Sequence, residues 1–180
     1  MQNQEIRKRI KELRKSLSKS QILVDSQKIF ENFLTLNLTK EKNFFIYKSF
    51  NGEVDTSLLI ATLLGEKKTL AFPVIQGENM VAGIPASKEQ KVSKFGTEEP
   101  KDYIPMDKVD VCVLPLLACD LSFNRLGYGK GYYDKFLKGK DCLKIGLCYD
   151  FQVVENIIAK EWDIPLDIII TPTKIIKREI

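Results

Sequence analysis

The chain has 180 residues, of which 44% are apolar and 29% are charged, and this composition is typical of a folded protein and excludes a disordered one. It contains no histidine, which excludes a histidine general base, a Ser-His-Asp triad and a histidine metal site. The net charge of +4 is concentrated in residues 1–20, which carry seven Lys/Arg against two Glu. Because the rest of the chain is nearly neutral, the charge distribution argues against a nucleic-acid surface spread over the fold.

The first third of the chain alternates predicted helices with one predicted strand. Isoleucine and leucine recur at helical spacing and predict a basic first helix over about 5–17. The capping-box pattern at 18–21 predicts a second helix that runs to about Leu36. The aromatic run NFFIYKSF predicts a buried strand that ends near Ser49. The turn NGEVDT and the apolar run TSLLIATLLG then predict a third helix.

The rest of the chain reads as strands joined by short helices. TLAFPV, NMVAGIPA, DCLKIGLCYD and PLDIIIT predict strands, and the continuous apolar run VDVCVLPLL is typical of a strand covered on both faces. Short helices are predicted near 132–138 and 153–159, and the polar residues 87–108 are predicted to form a long loop with little regular structure. This alternation predicts one domain over 1–180, a three-layer α/β fold with a largely parallel sheet covered by helices on both faces.

The cysteines and the apolar runs indicate the cellular compartment of the protein. The four cysteines, Cys112, Cys119, Cys142 and Cys148, lack the spacing of metal ligands and are interpreted as reduced core residues. The first residues lack the apolar segment of a signal peptide, and no apolar run approaches the roughly 20 residues that span a bilayer. The sequence therefore predicts a cytoplasmic protein.

The segment FNRLGYGKGYYDKFL is the strongest candidate for a ligand-binding or catalytic site. Gly127, Gly129 and Gly131 alternate around Lys130, with Arg125 in front of them. Glycines free the backbone for φ > 0 and expose its N–H groups, and the segment lies between a predicted strand and a predicted helix, where α/β proteins bind ligands. The spacing fits neither the Walker A loop nor the GxGxxG fingerprint. The pattern predicts a distinct phosphate-binding loop.

From the residues alone, simpler interpretations stay open. The glycine run can be a tight turn, SFNGEVDT a turn with a helix cap, and the basic first helix a solvated face. The carboxylates Asp150, Asp163 and Asp167 near strand ends can be caps or surface groups, although such positions also suit metal ligands. The residues alone therefore predict an α/β protein with a phosphate-binding loop and do not specify its reaction.

Several short clusters of residues, taken in chain order, resemble the motifs of a known protein family. SFNGEVDT, FPV, EEP, VLPLLACDLSFNRLGYGKGYYDKFL, CYDFQ and WDIPLDIIIT resemble the 5-formyltetrahydrofolate cyclo-ligase family, also called 5,10-methenyltetrahydrofolate synthetase, over about 6–171. The resemblance implies a ring-forming ligase of folate one-carbon metabolism that uses ATP and Mg²⁺ to convert 5-formyltetrahydrofolate into 5,10-methenyltetrahydrofolate, releasing ADP and phosphate through a phosphorylated formyl intermediate. It also implies a monomer acting on small molecules, with no nucleic-acid or membrane partner.

The resemblance also implies roles for individual residues. The implied catalytic residues are Arg125, Lys130 and Tyr132. The implied ATP site comprises Arg7, Arg125, Leu126, Gly127, Tyr128, Gly129, Lys130, Gly131, Tyr132 and Tyr133. The implied folate site comprises Lys48, Glu53, Tyr128, Gly129, Lys130, Gly131 and Tyr132. The implied Mg²⁺ ligands are Asp134 and Asp163.

Two positions depart from the family pattern, and two other function classes are compatible with the residues. Asn3 stands where the family often has a lysine, and Trp162 stands where it often has a histidine. A sugar-phosphate isomerase or CoA-transferase-like enzyme could use the glycine loop for phosphate without ATP. An RNA-binding accessory protein could use the basic first helix instead.

Overall fold

The computed structural model describes residues 2–179 of the chain. Its α-helices are α1 (Asn3–Lys15), α2 (Lys19–Leu34), α3 (Ser57–Gly65) and α4 (Tyr132–Leu137). The predicted cap of the second helix is confirmed, because the Ser18 hydroxyl accepts a hydrogen bond from the Gln21 N–H over 3.1 Å. No helix within residues 2–179 is long and apolar enough to cross a membrane.

The strands form one large sheet and two small ones. In chain order they are β1 (Asn43–Ile46), β2 (Thr69–Gln76), β3 (Asn79–Pro85), β4 (Gln90–Val92), β5 (Glu98–Pro100), β6 (Tyr103–Pro105), β7 (Val111–Leu114), β8 (Ala118–Asp120), β9 (Arg125–Leu126), β10 (Leu143–Leu147), β11 (Val153–Val154), β12 (Ile168–Ile170) and β13 (Ile175–Lys177). The large sheet has the order β13-β12-β10-β7-β1-β2-β3-β6, and the small sheets are β11-β8-β9 and β4-β5. The strands from β12 to β2 are parallel, and β13, β3 and β6 add antiparallel edges.

Alternate residues of the central strands serve two separate cores. Phe44 and Ile46 of β1 pack in the core that includes Ile29 of α2 and Leu59 of α3, whereas Phe45 packs in the core beneath α4. Because both faces of the sheet are buried, the strands read as continuous apolar runs in the sequence. The predicted three-layer, largely parallel α/β fold is thereby confirmed.

The first helix packs away from the large sheet, on the small sheet that carries the glycine segment. Ile6 and Ile10 are 2% and 1% exposed and contact Leu117, Leu126 and Ile157. The apolar side of this basic helix is therefore fixed to the strands that lead into the glycine loop. Three of its cations contact that loop: Arg7 donates to the Gly127 carbonyl, and Lys11 and Arg14 lie 5.7 and 5.9 Å from the centre of the Tyr128 ring.

Two local predictions are wrong. Residues 87–108 form β4, β5 and β6, because β4 and β5 make a hairpin and β6 pairs with β3. Residues 153–159 form no α-helix, because Val153–Val154 pairs with β8 as a strand and the buried Asp120 carboxylate accepts the backbone N–H of Ile157 over 2.8 Å. In both segments, partners distant in the chain determine the backbone conformation.

The prediction that the four cysteines are core residues is confirmed. All four cysteines are buried free thiols. The sulfur atoms of Cys112 and Cys142 lie 3.4 Å apart, and those of Cys119 and Cys148 lie 3.7 Å apart. The thiols therefore pack as small apolar groups that also satisfy one another as weak hydrogen-bond partners.

The packing around β10 gives a stability prediction. A Cβ on Gly146 would lie 2.7 Å from Leu166 Cδ1 and 2.8 Å from Leu116 Cδ2, and both leucines are buried. We expect Gly146→Ala to lower the free energy of unfolding by about 1–3 kcal/mol, measured by urea denaturation.

The matched control is Gly65→Ala at the end of α3, where a Cβ would meet no atom within 4 Å. We expect this variant to be neutral or up to about 1 kcal/mol more stable. Equal urea midpoints for the two variants would contradict the close packing of Gly146.

Candidate active site

A cavity of about 400 Å³ lies at the carboxyl ends of β1 and β7, the edge of the sheet where a ligand site was expected. Lys48 beyond β1 and Pro115 beyond β7 both line it. The structure brings every residue of the sequence-predicted site to this cavity: Arg7, Lys48, Glu53, Arg125, Leu126, Gly127, Tyr128, Gly129, Lys130, Gly131, Tyr132, Tyr133, Asp134 and Asp163. The individual roles of these residues stay predictions.

The glycine loop joins β9 to α4 and adopts the conformations that glycine permits. Gly129 and Gly131 have φ values of +95° and +70°. The Arg7 Nε–H donates to the Gly127 carbonyl over 2.9 Å, and a Cβ on Gly129 would lie 3.7 Å from the same guanidinium. Lys130 is exposed at the tip of the loop. The loop therefore combines bare backbone with two cations, as an anion-binding segment requires.

Arg125 lies beneath the loop in an ion pair. Its Nη2 is 3.1 Å from Asp134 Oδ1, and its guanidinium carbon is 5.5 Å from the centre of the Tyr133 ring. Its Nε is buried and has no hydrogen-bond partner within residues 2–179. Arg125 also lines the cavity, so its positive charge adds to that of Arg7 and Lys130 around the loop.

Two of the candidate metal ligands reach the cavity together. Asp134 Oδ1 also accepts the backbone N–H of Ile164 over 3.2 Å, and Asp163 Oδ2 accepts that of Lys160 over 2.9 Å. Within residues 2–179 no group of three or more His, Cys, Asp or Glu is placed to hold a metal ion. Because Mg²⁺ commonly takes one or two carboxylates together with phosphate oxygens and waters, this pair fits a magnesium ion that arrives with a phosphate ligand.

The other two acidic candidates have local partners and do not line the cavity. Asp150 accepts a hydrogen bond from the Thr173 hydroxyl over 2.7 Å. Asp167 forms an ion pair with Lys144, whose Nζ lies 2.8 Å from the carboxylate. The simpler interpretation as structural groups therefore describes these two residues.

Glu53 occupies a second part of the cavity, in the turn that follows β1. Its carboxylate accepts the backbone N–H of Phe50 over 2.9 Å and the hydroxyl of Tyr128 over 3.1 Å. Burial raises the pKa of Glu53, while the nearby Arg14 guanidinium and these two hydrogen bonds oppose the shift. The turn thus presents a carboxylate that is partly removed from water and sensitive to its neighbours.

The tyrosines around Glu53 are neutral donors. Burial, assisted by the charge of Glu53, raises the pKa of Tyr128 to about 12 and that of Tyr133 further still. Tyr47 is 3% exposed, and the same two causes raise its pKa well above the ordinary value. These phenols therefore stay protonated over the physiological range and can only hydrogen-bond a ligand, without acting as bases.

Arg14 is a functional candidate that the sequence analysis missed. It is 4% exposed, and its Nη2 donates to the backbone carbonyls of Phe50 and Asn51, which hold the Glu53 turn. Arg14 follows Arg7 by two helical turns, on the same face of α1. This spacing could have identified Arg14 from the sequence. An arginine in line with the apolar residues Ile6 and Ile10 is expected on the packed side of the helix and not on its solvated side.

The segment mispredicted as a loop supplies a wall of the cavity. Phe95, Glu98 and Glu99 line it, and the Phe95 ring packs edge-on against Tyr132 with centroids 5.5 Å apart. Glu99 is 2% exposed and accepts the backbone N–H of Ile75 over 3.0 Å. Glu98 and Glu99 belong to the EEP cluster of the family resemblance, which assigned them no role in the site. Phe95 had no local signal.

These features define an α/β protein with a cationic glycine loop beside a pocket formed by a carboxylate and several tyrosines. The model of the 5-formyltetrahydrofolate cyclo-ligase family matches residues 1–172, and the chain belongs to that family. The predicted family and enzyme class, a cyclo-ligase of folate one-carbon metabolism, are confirmed. The isomerase, CoA-transferase and RNA-binding alternatives have no support from this match.

Individual relatives agree with the family match. A 5-formyltetrahydrofolate cyclo-ligase of Haemophilus influenzae is 33% identical over 176 residues, which cover 91% of this chain and 94% of the relative. A solved 5,10-methenyltetrahydrofolate synthetase of Aquifex aeolicus is 34% identical, with a TM-score of 0.87 over 98% of this chain and 93% of the other. A synthetase of Mycoplasma pneumoniae, 23% identical over 96% of this chain and 99% of the other with a TM-score of 0.78, shares the fold.

The raised pKa of Glu53 predicts an effect on stability. A carboxyl whose pKa is higher in the folded than in the unfolded protein destabilises the fold when it is ionised, and this penalty is absent below the unfolded pKa of about 4.3. We expect the Tm of Glu53→Gln relative to that of the wild type to rise as the pH increases from below this value to neutral, because only the wild type acquires the penalty. The hydrogen bond that glutamine cannot accept lowers the Tm of the variant equally at each pH.

Thermal unfolding across pH tests this, with Glu12→Gln on the exposed side of α1 as the matched control, which should leave the Tm unchanged. A Tm difference between Glu53→Gln and the wild type that stays constant or falls as the pH rises would contradict the predicted penalty.

Proposed function

We propose that this chain converts 5-formyltetrahydrofolate into 5,10-methenyltetrahydrofolate at the expense of ATP, with Mg²⁺, and releases ADP and phosphate. The observation that carries the proposal is the shared cavity: the glycine loop with its cations opens into the same space as Glu53 and its tyrosines. Two substrates, one anionic and one a polar heterocycle, can therefore meet there. The names of the Haemophilus and Aquifex relatives support the same reaction.

The chemistry needs positioning more than acid–base catalysis. A formyl amide oxygen is a poor leaving group, and phosphorylation makes it a good one. In the proposed sequence the formyl oxygen attacks the γ-phosphorus and ADP leaves. N10 of the folate then attacks the activated carbon, and the ring closes as phosphate departs and takes up the proton that N10 loses. Such steps require cations and backbone donors at fixed positions, which suits a chain without histidine.

The nucleotide phosphates are assigned to the glycine loop. The backbone N–H groups of 127–131 would meet their oxygens, and Arg7, Arg125 and Lys130 would neutralise the charge that moves onto the leaving ADP. Tyr132 lies at the junction with the folate half and is held there by its hydroxyl, which donates to the Gly77 carbonyl over 3.1 Å. Its proposed role is to orient the formyl group toward the phosphate.

The folate ring is assigned to the half of the cavity around Glu53. A carboxylate with two acceptor oxygens matches the paired N–H donors of a pterin, and the neutral phenols of Tyr128 and Tyr133 complete a polar edge. Lys48 lies beside them, held by a 2.6 Å hydrogen bond from its Nζ to the Gln90 side chain. This half of the cavity would discriminate between folates, whereas the loop would recognise phosphate.

Asp134 and Asp163 are the residues that would hold Mg²⁺, which would supply charge neutralisation on the phosphate oxygens. Asp134 already pairs with Arg125 and accepts a hydrogen bond from Ile164, so its orientation is fixed before any ligand binds. That the enzyme works as a single-domain, cytoplasmic monomer without nucleic-acid or membrane partners stays a prediction.

The direct test is to mix the protein with 5-formyltetrahydrofolate and MgATP and to follow the near-ultraviolet band of the conjugated methenyl product. We expect the band to rise only when protein, folate and MgATP are all present, with one ADP formed for each product. A folded protein that produces no band would contradict the proposed reaction.

The loop lysine gives a sharper expectation. We expect Lys130→Ala to lower kcat/KM by roughly 10²–10³-fold, because removing one preorganised partner of a developing charge has effects of that size. Lys138→Ala is the matched control, since Lys138 is exposed at the end of α4 outside this cavity, and it should retain full turnover. Equal rates for the two variants would remove Lys130 from the catalytic residues.

A further inference from the structure

Trp162 is the single tryptophan of the chain, and its placement is unusual. It is 64% exposed and yet lines the cavity. Within residues 2–179 no other aromatic ring packs against it, and the Lys160 Nζ lies 5.4 Å from its ring centre. A large aromatic surface left open at the wall of a binding site is a candidate for ligand contact.

The backbone around Trp162 is fixed at several points. Lys160 and Asp163 close a turn, in which the Asp163 N–H donates to the Lys160 carbonyl over 3.1 Å. On one side of the turn, Ile158 exchanges two hydrogen bonds with the Asn3 side chain at the start of α1, over 2.8 and 3.1 Å. On the other side, the Ile164 N–H is bonded to Asp134. The indole is therefore held between the first turn of α1 and the carboxylate proposed for the metal.

The proposed reaction determines which part of a nucleotide reaches this wall. The γ-phosphate must face the formyl group, and the folate ring is assigned to the half around Glu53. The phosphates run along the glycine loop, so the nucleoside must point away from Glu53. Arg7, which contacts the loop backbone at Gly127, rises from the same first turns of α1 that hold the Trp162 segment. The wall that contains Trp162 lies at this α1 side of the cavity and offers the base an open aromatic surface.

We propose that Trp162 is the nucleobase platform of the site, on which the base of a nucleoside triphosphate stacks through its π-face. The inference rests on the proposed ATP dependence and names the residue that recognises the nucleoside. Stacking tolerates different bases, because each base presents a π-face. The platform therefore favours nucleotides over inorganic polyphosphate, while it discriminates weakly between adenine and guanine.

A single tryptophan makes the platform directly observable. Tryptophan fluorescence is recorded during titration with ATP, GTP and inorganic tripolyphosphate, each with Mg²⁺, using free tryptophan to correct for light absorption by the nucleotides. We expect saturable quenching by both nucleotides and none by tripolyphosphate, which carries the charge without a base.

Variants then separate stacking from charge, with affinities measured by calorimetry. Trp162→Ala should weaken ATP binding about 5- to 150-fold and leave tripolyphosphate binding unchanged, and Trp162→Phe should restore most of the affinity for ATP. Ile158→Ala is the matched control: Ile158 is 57% exposed on the same segment but does not line the cavity, and its replacement should leave both affinities unchanged.

Three outcomes overturn the nucleobase platform. Equal quenching by ATP and tripolyphosphate would mean that Trp162 reports charge, and quenching by 5-formyltetrahydrofolate alone would place it on the folate side. Unchanged ATP affinity in Trp162→Ala would remove the platform even if the enzyme turns over. Base-dependent quenching without any methenyl product would instead contradict the proposed reaction and leave the platform standing.

Discussion

The candidate site depends on how the first helix is docked. Arg7 and Arg14 lie on one face of α1, and each donates to backbone carbonyls of a different segment, one to the glycine loop at Gly127 and the other to the Glu53 turn. Ile6 and Ile10 anchor the same helix in an apolar contact. A buried guanidinium is costly unless its donors are satisfied, so the two turns are constrained by their bonds to it. The helix thereby sets the distance between the two halves of the cavity.

The site retains polar groups that stability alone would not favour. Glu53 has a raised pKa, and Arg14 and Arg125 each keep a buried guanidinium nitrogen without a partner within residues 2–179. Unsatisfied groups of this kind cost stability, and proteins commonly give up some stability at functional sites. The surrounding tyrosines limit the penalty, because neutral phenols such as that of Tyr128 hydrogen-bond the carboxylate without adding charge.

The predictability of each part of the fold follows the range of the interactions that form it. The helices up to Gly65 and the central strands could be predicted, since spacing, caps and continuous apolar runs are local signals. The hairpin and edge strand within 87–108 could not, because their partners lie elsewhere in the chain. In the site, the glycine loop was visible as a motif. The wall that Phe95 supplies was not, because a contact made only after folding leaves no local pattern.

The large sheet has a short strand at each of its two edges. Both edge strands, β6 and β13, are three residues long, and β6 finishes at Pro105, which has no N–H to offer. A strand from another molecule would find few unpaired backbone groups along either edge. Short edge strands of this kind disfavour growth of the eight-stranded sheet by strand addition. The two edges thus act against edge-to-edge joining of sheets from different molecules, a common first step in aggregation.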